Sequence, residues 1–418
     1  MSPREERGTL IAAKSRIRHQ SGKWIVPSQN NSGTKYTVTP HDEKPHCTCP
    51  DHELTGSVCK HIYAVRVVIQ RELFDDGTEV ETRQITVTET RKTYPQQWAA
   101  YNRAQVSEKS TLQVLLHDLC KSIPDAPRQI GPGRPRVSAR DGIFCAVMKV
   151  YSMLSSRRFI SDLCDSHEKG YIARVPHFNS VLNVFDSPET EAILKELIAK
   201  SAEPLVAIES NFAIDSTGFS GCRFDCWFET KWNTTPQRSH KAWVKAHAMI
   251  GCKTNVVTAV DVTENNSGDS IFLEPLMNET AKRFQIGDLV ADKAYLSEGN
   301  LSLVSEAGAN AFIPFKVNST ASRPGVWNAA FHFFNLHREE FLAHYHQRSN
   351  VESTFSAVKR KFGDSVKAKN NQSMKCEVLA KVLCHNLSCL IHAMEELGID
   401  STFRCTNMFS SAHKLAGA

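Results

Sequence analysis

The chain has 418 residues, long enough for two or three domains, and its 41% hydrophobic and 23% charged residues are the proportions of a soluble globular protein. A polar start, MSPREERGTL, and the lack of any apolar run near membrane-span length argue against export and insertion, so a cytoplasmic, nucleoid-associated location is expected. The net charge of +5 permits nucleic acid as a partner without implying it, and thirteen cysteines without an export signal point to thiols or metal ligands rather than disulfides.

The first organised unit is expected over 15–74. KWIVPS and KYTVTP are short β-like runs, followed by HCTCPDHELTGSVCKHIYAVRVVIQREL. Cys47, Cys49, Cys59 and His61 read Cys-x-Cys and Cys-x-His, and three thiolates with one imidazole suit a closed, structural, tetrahedral Zn2+ site. His46 and His52 lie near but off that pattern. The segment resembles the SWIM-type zinc finger, which implies binding of DNA or protein.

Residues 75–109, rich in Thr, Glu, Gln and Arg, read as a linker. Residues 110–203 read as helical, with Ser187 and Pro188 opening one helix as cap and first residue. Between the first two of these helices, Arg134 and Arg136 in GPGRPR resemble the minor-groove hook of architectural DNA binders; with Arg157 and Arg158 they suggest a DNA-holding region.

Beyond Pro204 the pattern turns to strands. NFAIDSTGFS, CRFDCWFET, KAWVKAHAMIGC and NVVTAVDVTE come in succession, then a helix in DSIFLEPLMNETAKRF, a strand in LVADKAY, a helix in SEGNLSLVSEAG and a strand in AFIPF. This order describes a mixed sheet with helices packed on it, over 205–396. Cys376, Cys384, His385 and Cys389 on the long last helix read as core, as do Cys222 and Cys226, and 397–418 reads as a frayed tail.

Asp215 and Asp292 each end an apolar run, where a carboxylate emerging at a sheet edge needs a compensating cation. Asp225, Asp261 and Asp288 read as solvated. In HYHQRSNVESTFSAVKRKFG, Tyr345, Arg348, Glu352 and Lys359 return to one face of a helix, within an arc of about 60° at roughly 100° per residue. Val351, Phe355, Val358 and Phe362 form the apolar stripe beside them. Two strand aspartates and a helix glutamate offer hard oxygen ligands for a pair of Mg2+ or Mn2+ ions.

Tyr345, Arg348, Glu352 and Lys359 fit the Tyr-x2-Arg-x3-Glu-x6-Lys signature at every spacing, and AIDSTGF and ADKAY supply two aspartate motifs, with Ala294 where glycine is common. WVKAH and SGDS also look familial. Residues 211–393 thus resemble the DDE transposases of bacterial insertion sequences. The resemblance implies an α/β, RNase H-like catalytic domain behind a helical DNA-binding region and a small zinc finger. It further implies that Asp215, Asp292 and Glu352 bind two divalent ions, that Arg348 and Lys359 contact DNA phosphates, and that Tyr345 positions a phosphate or stacks on a base. The partners implied are double-stranded transposon ends and target DNA, bound by a homodimer. A nuclease without strand transfer and a DNA-binding regulator without catalysis are the competing readings.

Overall fold

Alternating burial along KWIVP, with Trp24 and Val26 inside, marks the strand that organises the N-terminal end of the chain. A computed structural model describes residues 3–20, 22–28, 34–40, 45–73, 97–124, 136–221, 243–264, 267–316, 318–321, 324–401 and 403. It divides into two units, Met1–Thr93 and Tyr94–Ala418. Arg134, the run CRFDCWFET with Cys222, Asp225 and Cys226, and residues 404–418 of the expected tail lie outside the described residues.

In the first unit β1 (Arg18–Gln20), β2 (Lys23–Pro27), β3 (Lys35–Thr39) and β4 (His46–Cys47) form an antiparallel sheet in chain order. Two helices frame it, α1 (Pro3–Lys14) and α3 (Lys60–Leu73), with the short α2 (Pro50–Thr55) between β4 and α3. The unit therefore begins before residue 15. Polar residues dominate α1, but Ile11 is fully buried and Gly8 lets the helix press onto α3. A Cβ at Gly8 would stand 2.5 Å from Tyr63 Cβ and 2.8 Å from the Lys60 carbonyl oxygen.

The second unit opens with α4 (Trp98–Cys120), which starts inside the expected linker because Ala100, Ala104 and Glu108 repeat at helical spacing and are buried. The run ARDGIFCAVMKVYSMLSSRRFISDLCD, which reads as one helix, forms two: α5 (Ala139–Ser152) stops where Met153 turns left-handed at φ 58°, and α6 (Ile160–Glu168) follows. Next come α7 (Phe178–Val184) and α8 (Pro188–Ala202).

The strands β5 (Asn211–Ser220), β6 (Trp243–Gly251), β7 (Val257–Glu264), β8 (Asp288–Ala291) and β9 (Asn310–Phe312) form a mixed sheet of order β7-β6-β5-β8-β9. The first three are antiparallel; β8 and β9 join in parallel beside β5. Parallel neighbours need crossovers, supplied by α9 (Leu273–Ala281) and α10 (Glu298–Glu306). After β9 come α11 (Val326–Leu336), α12 (Arg338–Tyr345), α13 (Ser349–Phe362) and α14 (Asn371–Leu397).

Helix α14 packs against α4, α5 and α8 as well as β7, so helices and sheet share one hydrophobic core. Fully buried Asn386 ties them: its amide exchanges bonds with the Val257 N–H and carbonyl and donates to Ser201 Oγ at 2.9 Å. Cys376 and Cys384 lie in the same core, as their positions on the apolar side of the helix imply.

Candidate active site and metal centre

Four soft donors converge in the first unit. Cys47 ends β4, Cys49 precedes α2, and Cys59 and His61 bracket the start of α3. Their donor atoms all lie within 4.8 Å of one another, and His61 Nδ1 is 3.9 Å from both Cys47 Sγ and Cys59 Sγ. Ligands around tetrahedral zinc stand about 3.6–3.8 Å apart, given bonds of about 2.3 Å to sulfur and about 2.0 Å to nitrogen. The set therefore fits one Zn2+. Contact between the thiols lowers Cys59 and raises Cys47. Among the described residues this is the only group of three or more such donors so closely gathered.

The carboxylates meet on the second unit's sheet. Ile214 of β5 lies opposite Ala291 of β8, so Asp215 and Asp292 each follow the last paired residue of the two strands, close enough for the Asp292 charge to act on Asp215. Asp292 continues the extended backbone and caps a 3₁₀ turn, Lys293–Tyr295, its Oδ1 accepting from the Lys293 N–H at 2.6 Å. Thr217, two residues beyond Asp215, shares its face of the sheet, and over that face lies α13.

The expected single helix around Glu352 is broken. Tyr345 ends α12, His346–Arg348 form a 3₁₀ turn, and α13 carries Glu352 and Lys359. No proline or glycine marks that break in YHQRSN. The apolar stripe of Val351, Phe355, Val358 and Phe362 is buried as its spacing implies. Arg348 bridges sheet and helix: Nη1 donates to Asp215 Oδ2 at 3.0 Å and Nη2 donates to Glu352 Oε1. Lys359 Nζ donates to Thr217 Oγ1 at 2.6 Å and stands 5.3 Å from the centre of the Phe219 ring. Tyr345 stacks on Phe341 and feels the Arg348 charge. Arg136 precedes α5, away from the cavity walls.

A cavity of about 770 Å³ opens here, lined by Met153, Asp215, Thr217, Glu352, Lys359 and Arg360 among others; Asp292 is not among its lining residues. Burial raises the Asp215 pKa, and the nearby charges of Asp292 and Asp269 push the same way, opposed by the Ser216 N–H and by Arg348. Burial also lowers Lys359. A half-buried carboxylate with like-charged neighbours and hard oxygen donors is a fit for a divalent cation, and Glu352, 59% exposed at its side chain, can turn.

Residues 207–387 match the family model described as a transposase DDE domain, and residues 36–65 the one described as a SWIM zinc finger. Over these two stretches the chain is similar to transposase DDE domains and to SWIM zinc fingers. No curated protein and no solved structure gave a match. No helix among the described residues is long and apolar enough to cross a membrane.

Within the transposase domain two polar clusters escaped the sequence. Asp288, read as solvated, is buried: its carboxylate accepts from Asn310 at 3.0 Å and pairs with His344 Nδ1 at 2.8 Å, with that ring stacked on Phe312. Asp269 pairs with Lys245 and His247 of β6. For the second cluster, alternation put Lys245 and His247 on one face and the WVKAH and SGDS runs hold all three residues, but nothing in the sequence joined them.

Proposed function

We propose that this chain is a transposase that cleaves transposon-end DNA and joins the freed strand to target DNA by metal-dependent phosphoryl transfer. One observation carries the reading. Asp215 on β5 and Asp292 just past the end of the parallel strand β8 follow the last paired residues, while Arg348 links Asp215 to Glu352, both of which line one cavity. Three antiparallel strands extended by two parallel ones support an RNase H-like assignment for this domain.

Asp215, Asp292 and Glu352 would hold two Mg2+ or Mn2+ ions, whose chemistry is to activate a water or 3′-hydroxyl and to stabilise the leaving oxygen. Lys359, a point charge at the cavity wall, suits a phosphate, and Tyr345, close to Arg348, Asp215 and Asp292, suits a flanking base or phosphate. Arg136 would add a phosphate contact outside the site. Handling two ends favours a homodimer on DNA, acting at the nucleoid.

The test offers purified protein a labelled transposon end and a target plasmid with Mg2+. Joined products that disappear in Asp215→Asn and Glu352→Gln are expected. Cleavage without joining would leave a nuclease; binding without either would leave a regulator.

A further inference from the structure

The turn carrying Asp292 is held from outside the cavity. The Tyr295 N–H donates back to the Asp292 carbonyl at 2.9 Å, and the Tyr295 ring is fully buried. Behind the turn, in the first turn of α10, stands Asn300. Its Nδ2 donates to the Tyr295 carbonyl at 2.8 Å, to Ser270 Oγ at 3.1 Å and to the Ser270 carbonyl at 3.2 Å. The Asn300 N–H also donates to the capping Ser297 Oγ at 3.1 Å, which fixes where the amide sits.

Ser270 is itself anchored. Its neighbour Asp269 places Oδ1 2.5 Å from Lys245 Nζ and 3.3 Å from His247 Nδ1, and the fully buried His247 ring stacks on Phe272 at 3.9 Å. A path of polar contacts thus runs from β6 through the Asp269 turn to the Asp292 turn, with one side-chain amide at the junction. An apolar residue there would leave two carbonyls without that donor, and the turn free to tilt.

We propose that Asn300 is a positioning residue for Asp292, fixing the direction of its carboxylate in the site assigned above, on which this inference rests. Groups that orient a metal ligand without touching the ion typically change metal affinity or activity 10- to 100-fold when removed.

The test is a calorimetric titration of Mn2+ into the zinc-loaded, full-length protein, with Asp292→Asn as reference and cleavage kinetics on a labelled end alongside. Asn300→Ala is expected to weaken Mn2+ binding by about 10-fold or more and to lower kcat with little change in KM for DNA. Ser270→Ala, which removes one of the three acceptors and keeps the carbonyls, is expected to weaken binding about 2- to 10-fold with an unaltered thermal transition, and it carries the test if Asn300→Ala does not fold. Glu306→Gln, on the exposed end of α10, should match the wild type. Wild-type Mn2+ affinity in Asn300→Ala, with binding lost in Asp292→Asn, would overturn the inference alone. Wild-type affinity in Asp292→Asn would overturn both it and the metal site.

Discussion

Arg348 has two carboxylates for partners, one on a strand and one on a helix, and its forked guanidinium is the side chain suited to hold both. On the metal-site reading, the same carboxylates bind a guanidinium or an ion, so the two compete. Arg348→Gln is therefore expected to raise Mn2+ affinity severalfold without DNA while weakening binding of a labelled end; calorimetry and fluorescence anisotropy would read the two effects. Spacing made this residue legible, since positions 345, 348, 352 and 359 stand out without any structure. It could not show what Arg348 touches, because Asp215 lies 133 residues away in the chain. Asp288 marks the limit on the other side: with the same alternation as Asp292, its burial depends on His344 and Asn310, which only the fold brings to it.

At the scale of elements, α13 is held at its end as well as along its stripe. Lys361 Nζ meets Glu108 Oε2 at 2.6 Å and Ser388 Oγ at 2.9 Å, and Tyr151 donates to the other Glu108 oxygen at 2.8 Å. Glu108 is buried, at 6% exposure. Lys361→Met would leave that carboxylate with Tyr151 as its remaining partner, a change expected to cost about 1–3 kcal/mol because Lys361 is partly exposed, and denaturant unfolding would measure it. Strands β5 to β9 and helices α9 and α10 followed from alternation and period with small shifts at their ends, whereas α11 and the break before α13 did not. The start of α4 and the break at Met153 did not, since alanines among polar residues and a left-handed methionine carry weak local signals.

For the whole molecule, the zinc cluster and the sheet domain lie in separate units and should lose structure under different conditions. Chelation is expected to abolish the unfolding transition of the first unit, and circular dichroism before and after adding EDTA would show it. Acid should act on the second. Burial pushes His247 and His385 down to about 4 from 6.5. Between those values the unfolded chain binds both protons and the folded chain neither, so stability falls as pH falls through that window. The slope approaches about 1.4 kcal/mol per pH unit for each histidine. Denaturant unfolding at several pH values would show it, and His385→Asn should remove about half.

The family match begins at residue 207, yet α14 is packed on one side by α4, α5 and α8, all earlier in the chain. A cut at that boundary would separate Asp215, Asp292 and Glu352 from α4, α5 and α8, which share their hydrophobic core. The piece expected to fold with that core intact is thus the compact unit Tyr94–Ala418, helices included, rather than the matched stretch alone.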